Sequence, residues 1–358
     1  MPRAQPGAPP LSRAPVTAAP GGLAGMHPAY FALVMATGIV SLACHILGLG
    51  VVARALFGLN LVFYPALWAL TIARVVRHRD RVLADLLDHG RSVGFLTAVA
   101  ATCVLGSQCL LVGGAYRAAF VLWVVGIALW AVLTYAVFTI LFVKLEKPTL
   151  AHGINGGWLI AVVAAQSVSV LGTQLAARLG DDAPPVLLFC LAMWLGGGML
   201  YFWIIGIIFY RYAFFTMSPS DLAPPYWINM GAAAISALAG ATLIAAAPRS
   251  PVLEQLLSFL RGMTLLWWAT ATWWIPMLVI LGIWRHVHQR FPLRYDPLYW
   301  GAVFPLGMYT VSTARLSTAV DAPYLIEISV RFVYVALGAW LTTAVGLALH
   351  LVRPAQRS

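Results

Sequence analysis

PLYWGAVFPLGMYT, residues 297–310, sets a bulky aromatic, Phe304, directly before a helix-breaking Pro305 inside an apolar run long enough to cross a bilayer. Proline deletes a backbone hydrogen bond and bends the helix that carries it. In hydrocarbon the freed carbonyl is costly, so the bend belongs beside other helices or a wet passage, not against lipid. The stretch opens Pro297-Leu298-Tyr299-Trp300, and the same Pro-x-Tyr-aromatic opening recurs at Pro28-Ala29-Tyr30-Phe31 and at Pro224-Pro225-Tyr226-Trp227. Proline suits a first helical turn, and Tyr and Trp collect at membrane interfaces. Three copies at the starts of odd-numbered helices point to hairpins repeated around a common axis. Asn155-Gly156-Gly157-Trp158 is a looser echo.

Across the 358 residues, 61% are hydrophobic and 9% charged, and the mean hydropathy is +0.87, which places the chain among integral membrane proteins. A span needs about 20 apolar residues to cross roughly 30 Å of hydrocarbon. The sequence reads as ten: 27–51, 54–76, 92–114, 118–143, 150–176, 185–210, 225–247, 261–284, 298–320 and 325–351. The predicted fold is an all-α membrane protein, five quasi-repeated hairpins around a central pore. Residues 1–25, rich in Pro, Ala and Gly with scattered Arg, lack the apolar core of a secretory signal and read as a disordered cytoplasmic tail. The transport domain is expected over 26–352, with a short cytoplasmic tail at 353–358.

Basic residues are retained on the cytoplasmic side of a membrane. Placing both termini there collects 15 of the 22 Lys and Arg, leaving seven at the opposite end, so the termini are predicted cytoplasmic in a cell inner membrane. The net charge of +11 is this topological bias, not a nucleic-acid surface. Cys44, Cys103, Cys109 and Cys190 lie in apolar spans without metal or redox spacing, so neither metal nor cofactor is expected.

All 11 Asp and Glu fall in predicted loops or at span ends. Proton relays and cation pathways place carboxylates within the membrane, so their absence there favours an anion or neutral solute. The expected pore lining is Met35, Thr37, Ser41, Gln108, Asn155, Gln166, Gly231, Ser236 and Thr310, with Arg315 attracting anions at the outer mouth. Met35 and Gly231 stand seven residues beyond their leading prolines, as Phe304 does.

HPAYFALVMATGIVSLA from His27, HGINGGWLIAVVAAQSVSVLG from His152 and VFPLGMYT from Val303 resemble the tellurite-resistance and dicarboxylate transporter family, which includes the guard-cell slow anion channels. The likeness runs from about residue 27 to residue 350. It implies a pore inside five odd helices, a homotrimer with one pore per subunit, and a gate formed by the aromatic at position 304. The substrate class it implies is a small anion such as chloride, nitrate, sulfite, tellurite or a C4-dicarboxylate, passed by a channel expected to be voltage-independent. A channel and a proton-coupled dicarboxylate permease both stay open. A membrane-embedded enzyme is disfavoured: only His45 lies well inside a span, and no H-E-x-x-H, G-x-S-x-G or acidic metal cluster occurs.

Overall fold

The computed structural model describes residues 22–352, and within them the fold is all-α. The long helices are α1 (Ala32–Ile46), α2 (Gly50–Arg77), α3 (Thr97–Leu111), α4 (Tyr116–Val143), α5 (Ile160–Leu175), α6 (Ala183–Phe214), α7 (Ile228–Ala246), α8 (Leu257–Ile283), α9 (Trp300–Ala319) and α10 (Ile326–Val352). The expected N-terminal tail lies outside the described residues up to 21, while Gly22–Gly25 form a 3-10 turn; the C-terminal tail lies outside them entirely.

Nine of the described helices are long and apolar enough to cross a membrane, against the ten read from the sequence. The difference is α9, whose 20 residues include Arg315, two glycines and several hydroxyls. The first boundary also moves. Residue 51 was the expected end of the first span, but α1 stops at Ile46, and Gly48 turns the chain at a φ of +82° that suits glycine.

The odd helices form a closed ring: α1 packs on α3, α3 on α5, α5 on α7, α7 on α9, and α9 on α1. Each even helix lies outside this ring, against the odd helix before it and the odd helix after it. Every odd helix starts with a 3-10 turn: Pro28–Phe31, Ser92–Leu96, Gly156–Leu159, Pro224–Trp227 and Pro297–Tyr299. These turns touch in the same cyclic order, so the five N-termini meet at one end of the ring. Three turns have side-chain caps, from His27 to Ala29 N, Asn155 to Gly157 N and Asp296 to Leu298 N, satisfying donors that a helix start leaves orphaned.

Lipid offers no hydrophobic drive between helices, so close packing and hydrogen bonds must hold the ring. Small residues supply the first: a Cβ on Gly172 of α5 would come within 2.6 Å of Cys190 Sγ and 2.7 Å of Trp123 Cζ2. Long aromatic donors on the outer helices supply the second. Trp123 Nε1 of α4 donates to Val168 O of α5, and Trp194 Nε1 of α6 to Ser236 O of α7. Trp268 Nε1 of α8 donates to Thr313 Oγ1 of α9, and Trp340 Nε1 of α10 to Thr37 Oγ1 of α1. Between α2 and α3 the equivalent bond joins Tyr64 OH and Thr102 Oγ1 at 2.8 Å. Each outer helix thus reaches forward to the next inner one.

Candidate functional site

Four cavities follow one another along the axis of the ring. A mouth of about 260 Å³ opens at the N-terminal end beside His27, Asn155, Arg211 and Asp221. It shares Ala29, Ile160, Pro225 and Leu298 with a small cavity of about 20 Å³ that ends at Met35 and Phe304. A second cavity of about 20 Å³ begins at Ile39 and Met308 and shares Leu111, Gln174 and Arg315 with a mouth of about 450 Å³ at the C-terminal end. Each small cavity has room for about one water. The two small cavities have no lining residue in common.

About one helical turn separates them. Met35 lines one cavity and Ile39 the other; Phe304 lines one and Met308 the other. Four residues of helix rise about 6 Å. The axial stripe then runs on at helical spacing, as Met35, Ile39, Leu42 and Ile46 on α1, Val163, Ser167, Val170 and Gln174 on α5, and Phe304, Met308, Val311 and Arg315 on α9. On α3 and α7 the stripe passes from Thr97 to Val104 and from Ile228 to Ile235, with only Ala100 or Ala101 and Gly231 or Ala232 between. Phe304 and Met35, at the end of the first small cavity, are 2% and 3% exposed.

The sequence-predicted polar lining is placed differently. Thr37 accepts the Trp340 indole, Ser41 Oγ donates to Ala53 O of α2, and Gln108 Oε1 accepts from Asn60 Nδ2 of α2 at 2.8 Å. Gln166 Nε2 donates to Trp194 O of α6. Ser236 Oγ donates to Ala232 O of its own helix, and Thr310 Oγ1 does the same to Leu306 O. None of these six lines an axial cavity. A buried amide needs a partner, and here a neighbouring helix provides it. Gly231 is a helix contact, since its Cβ would meet Pro305 Cγ at 2.7 Å. Asn155 does line a cavity, at the N-terminal mouth, and Arg315 lines both cavities at the other end. Sequence reasoning missed Gln174 and the apolar lining at Ile39, Val104, Ile235 and Met308; the three-four spacing of residues 35, 39, 42 and 46 was the available signal.

Charge is settled near the N-terminal mouth by local pairs. Asp85 binds Arg74 and Arg91 at 2.6 Å each, and Asp221 lies 3.6 Å from Arg211. Burial, reinforced by the charge of Arg91, pushes the His27 imidazole down to about 4, which keeps Nδ1 free to accept from Ala29 N. No Asp or Glu lines the two small cavities or the C-terminal mouth.

Comparison with known proteins shows the family: the model of the voltage-dependent anion channel family, SLAC1, matches residues 25–348. The chain belongs to that family. An uncharacterised membrane protein of Mycobacterium tuberculosis is 40% identical over 44% of this chain and 80% of its own length. An uncharacterised transporter of Methanocaldococcus jannaschii is 27% identical over 80% of the chain and 82% of its own length. A sulfite efflux pump of Trichophyton rubrum is 25% identical over 89% of both. The SLAC1 family and its named relatives are channels and transporters, not enzymes, and they support anion transport as the function of this multi-pass membrane protein.

Proposed function

We propose that this SLAC1-family chain passes small anions along the axis of its five odd helices, and that Phe304 occludes the path. The observation that carries the reading is the pair of small axial cavities, separated by one turn at Phe304 and Met35 and lined without a carboxylate. An apolar ring at a neck stops ions by denying them hydration water. The N-termini of all five odd helices face the near mouth, and each carries roughly half a positive charge, which favours arriving anions. Chloride, nitrate, sulfite, tellurite and C4-dicarboxylates form the substrate class. Sulfite gains support from the efflux pumps among the relatives. The lack of a carboxylate or histidine in the two small cavities favours a channel over a proton-coupled permease.

Pro305 allows the bend that turns Phe304 into the path, and Gly231 leaves room for the Pro305 ring. The odd helices α1, α3, α5 and α7 carry no Lys or Arg, so no row of gating charges exists in them and conduction is voltage-independent in this reading. Both termini are cytoplasmic and the assembly is a homotrimer in the cell membrane, each subunit with its own path. Reversal potentials in planar bilayers under a salt gradient test the function: an anion-selective current is expected, and a cation-selective one refutes it.

A further inference from the structure

We propose that the C-terminal mouth of the ring is an oxyanion-binding site built from Arg249, Arg261 and Arg315. This rests on the reading of the axis as an anion path. The three arginines come from three separate elements, the turn after α7, the first part of α8 and the last part of α9, yet they line one cavity of about 450 Å³. The rest of its wall includes Thr173, Gln174, Thr242 and Thr318, and no carboxylate. Asp181, Asp182, Glu254, Asp321 and Glu327 all sit at the same end of the molecule, but none lines the cavity. Among the described residues none of the three arginines forms an ion pair.

Two physical arguments separate this cluster from ordinary basic corners. Basic residues are disfavoured at the non-cytoplasmic end of a membrane protein, yet three of the seven expected there share this single cavity. The C-terminal ends of four inner helices, α3, α5, α7 and α9, also line this mouth, and their negative dipole ends would repel an anion emerging from the neck. Three guanidinium groups offset that repulsion. Arg315 and Gln174 line both this mouth and the small cavity below it, so an anion leaving the neck reaches the cluster directly. Gln174 Oε1 is buried there without a hydrogen-bond partner, which marks the junction as polar and incompletely satisfied.

Guanidinium presents paired N–H donors that match two oxygens of one anion, a geometry no halide can use. The site therefore prefers a doubly charged oxyanion, such as sulfite or sulfate, to chloride. Its position near a membrane surface admits two sources of that chemistry, a free oxyanion or a lipid phosphate.

The test is equilibrium binding to the purified, lipid-free full-length chain in neutral detergent. Thermal unfolding is followed while sodium sulfate, sodium chloride at matched ionic strength, or short-chain phosphatidylglycerol is titrated. Sulfate is expected to raise the midpoint saturably and at concentrations at least ten-fold below chloride. Arg249→Gln, Arg261→Gln and Arg315→Gln should each weaken that response several-fold, whereas Arg331→Gln, an exposed arginine on α10 outside the cavity, should not. A response to the lipid alone, lost in the three variants, keeps the site and names a headgroup as its occupant. Equal responses in wild type and the three variants, or none in wild type, overturn the site. Anion flux measured on the same preparations separates the two claims: flux without binding leaves the transport reading standing, and binding without flux does the reverse.

Discussion

The five inner and five outer helices of this molecule are opposite in material. In the four inner spans apolar enough to be scored as membrane-crossing, 83–94% of the residues are buried, against 11–44% in the five outer ones. The inner set is Ala, Gly, Ser and Val, as in the α7 run AAAISALAGATLIAA, while the outer set exposes Phe202, Trp203, Ile207 and Phe209. Thr37 and Gln108 on the inner helices accept from Trp340 and Asn60 of the outer ones and Gln166 donates to Trp194 O, whereas Ser107, Ser167 and Gln174 line the axis. Between the two small cavities the axis is faced by Met35, Phe304, Ile39 and Met308, all apolar. Thr37, Ser41, Gln108 and Gln166 are thus helix contacts, while the two small axial cavities are lined mostly by apolar side chains.

Glycine replacement breaks this contrast most severely. Gly172→Leu on α5 drives a side chain into Cys190 and Trp123 and should cost about 1–3 kcal/mol or abolish folding. Gly206→Leu on α6 meets nothing within 4 Å and should stay within about 0.5 kcal/mol of wild type. Thermal melting and gel filtration in detergent compare the two. Gln166→Leu comes next. It deletes the bond to Trp194 O, so the melting midpoint should fall by the equivalent of about 1 kcal/mol while anion selectivity stays unchanged. Altered selectivity would return Gln166 to the pore.

A smaller effect concerns pH. His27 is held at about 4 in the folded chain against 6.5 unfolded, so the unfolded state binds more protons between those values. The stability it contributes is fully present above about 6.5 and declines as the pH falls toward 4. His27→Asn keeps a cap acceptor for Ala29 N and should remove this part of the pH slope in melting curves.

Much of the fold was legible because membrane spans are long and apolar and because Pro-x-Tyr-aromatic openings mark helix starts. Three such openings were visible, whereas the turns Ser92–Leu96 and Gly156–Leu159 perform the same role without a leading proline. The facing of the inner helices was not legible. A helix buried on every side has no apolar stripe to contrast with a polar one, so composition did not separate Met35 from Thr37, and only the three-four spacing of residues 35, 39, 42 and 46 carried a trace of the facing. The α9 span reads as an apolar run of sufficient length in the sequence, although Arg315 and its hydroxyls make it less apolar than the rest.

Anion flux through reconstituted Phe304→Ala vesicles tests the central claim most directly. In the proposed path Phe304 is the larger of the two side chains, with Met35, at the end of the first small cavity, so removing its ring is expected to join the two axial cavities. Flux should rise about ten-fold or more, equivalent to ~1.4 kcal/mol or more off the barrier. Phe304→Leu, which keeps an apolar plug, should fall between it and wild type. Gel filtration and melting must first show the variant intact, because a Phe→Ala change in a packed core costs about 3–5 kcal/mol. An intact Phe304→Ala protein that conducts no better than wild type would contradict the account and leave Phe304 as a packing residue.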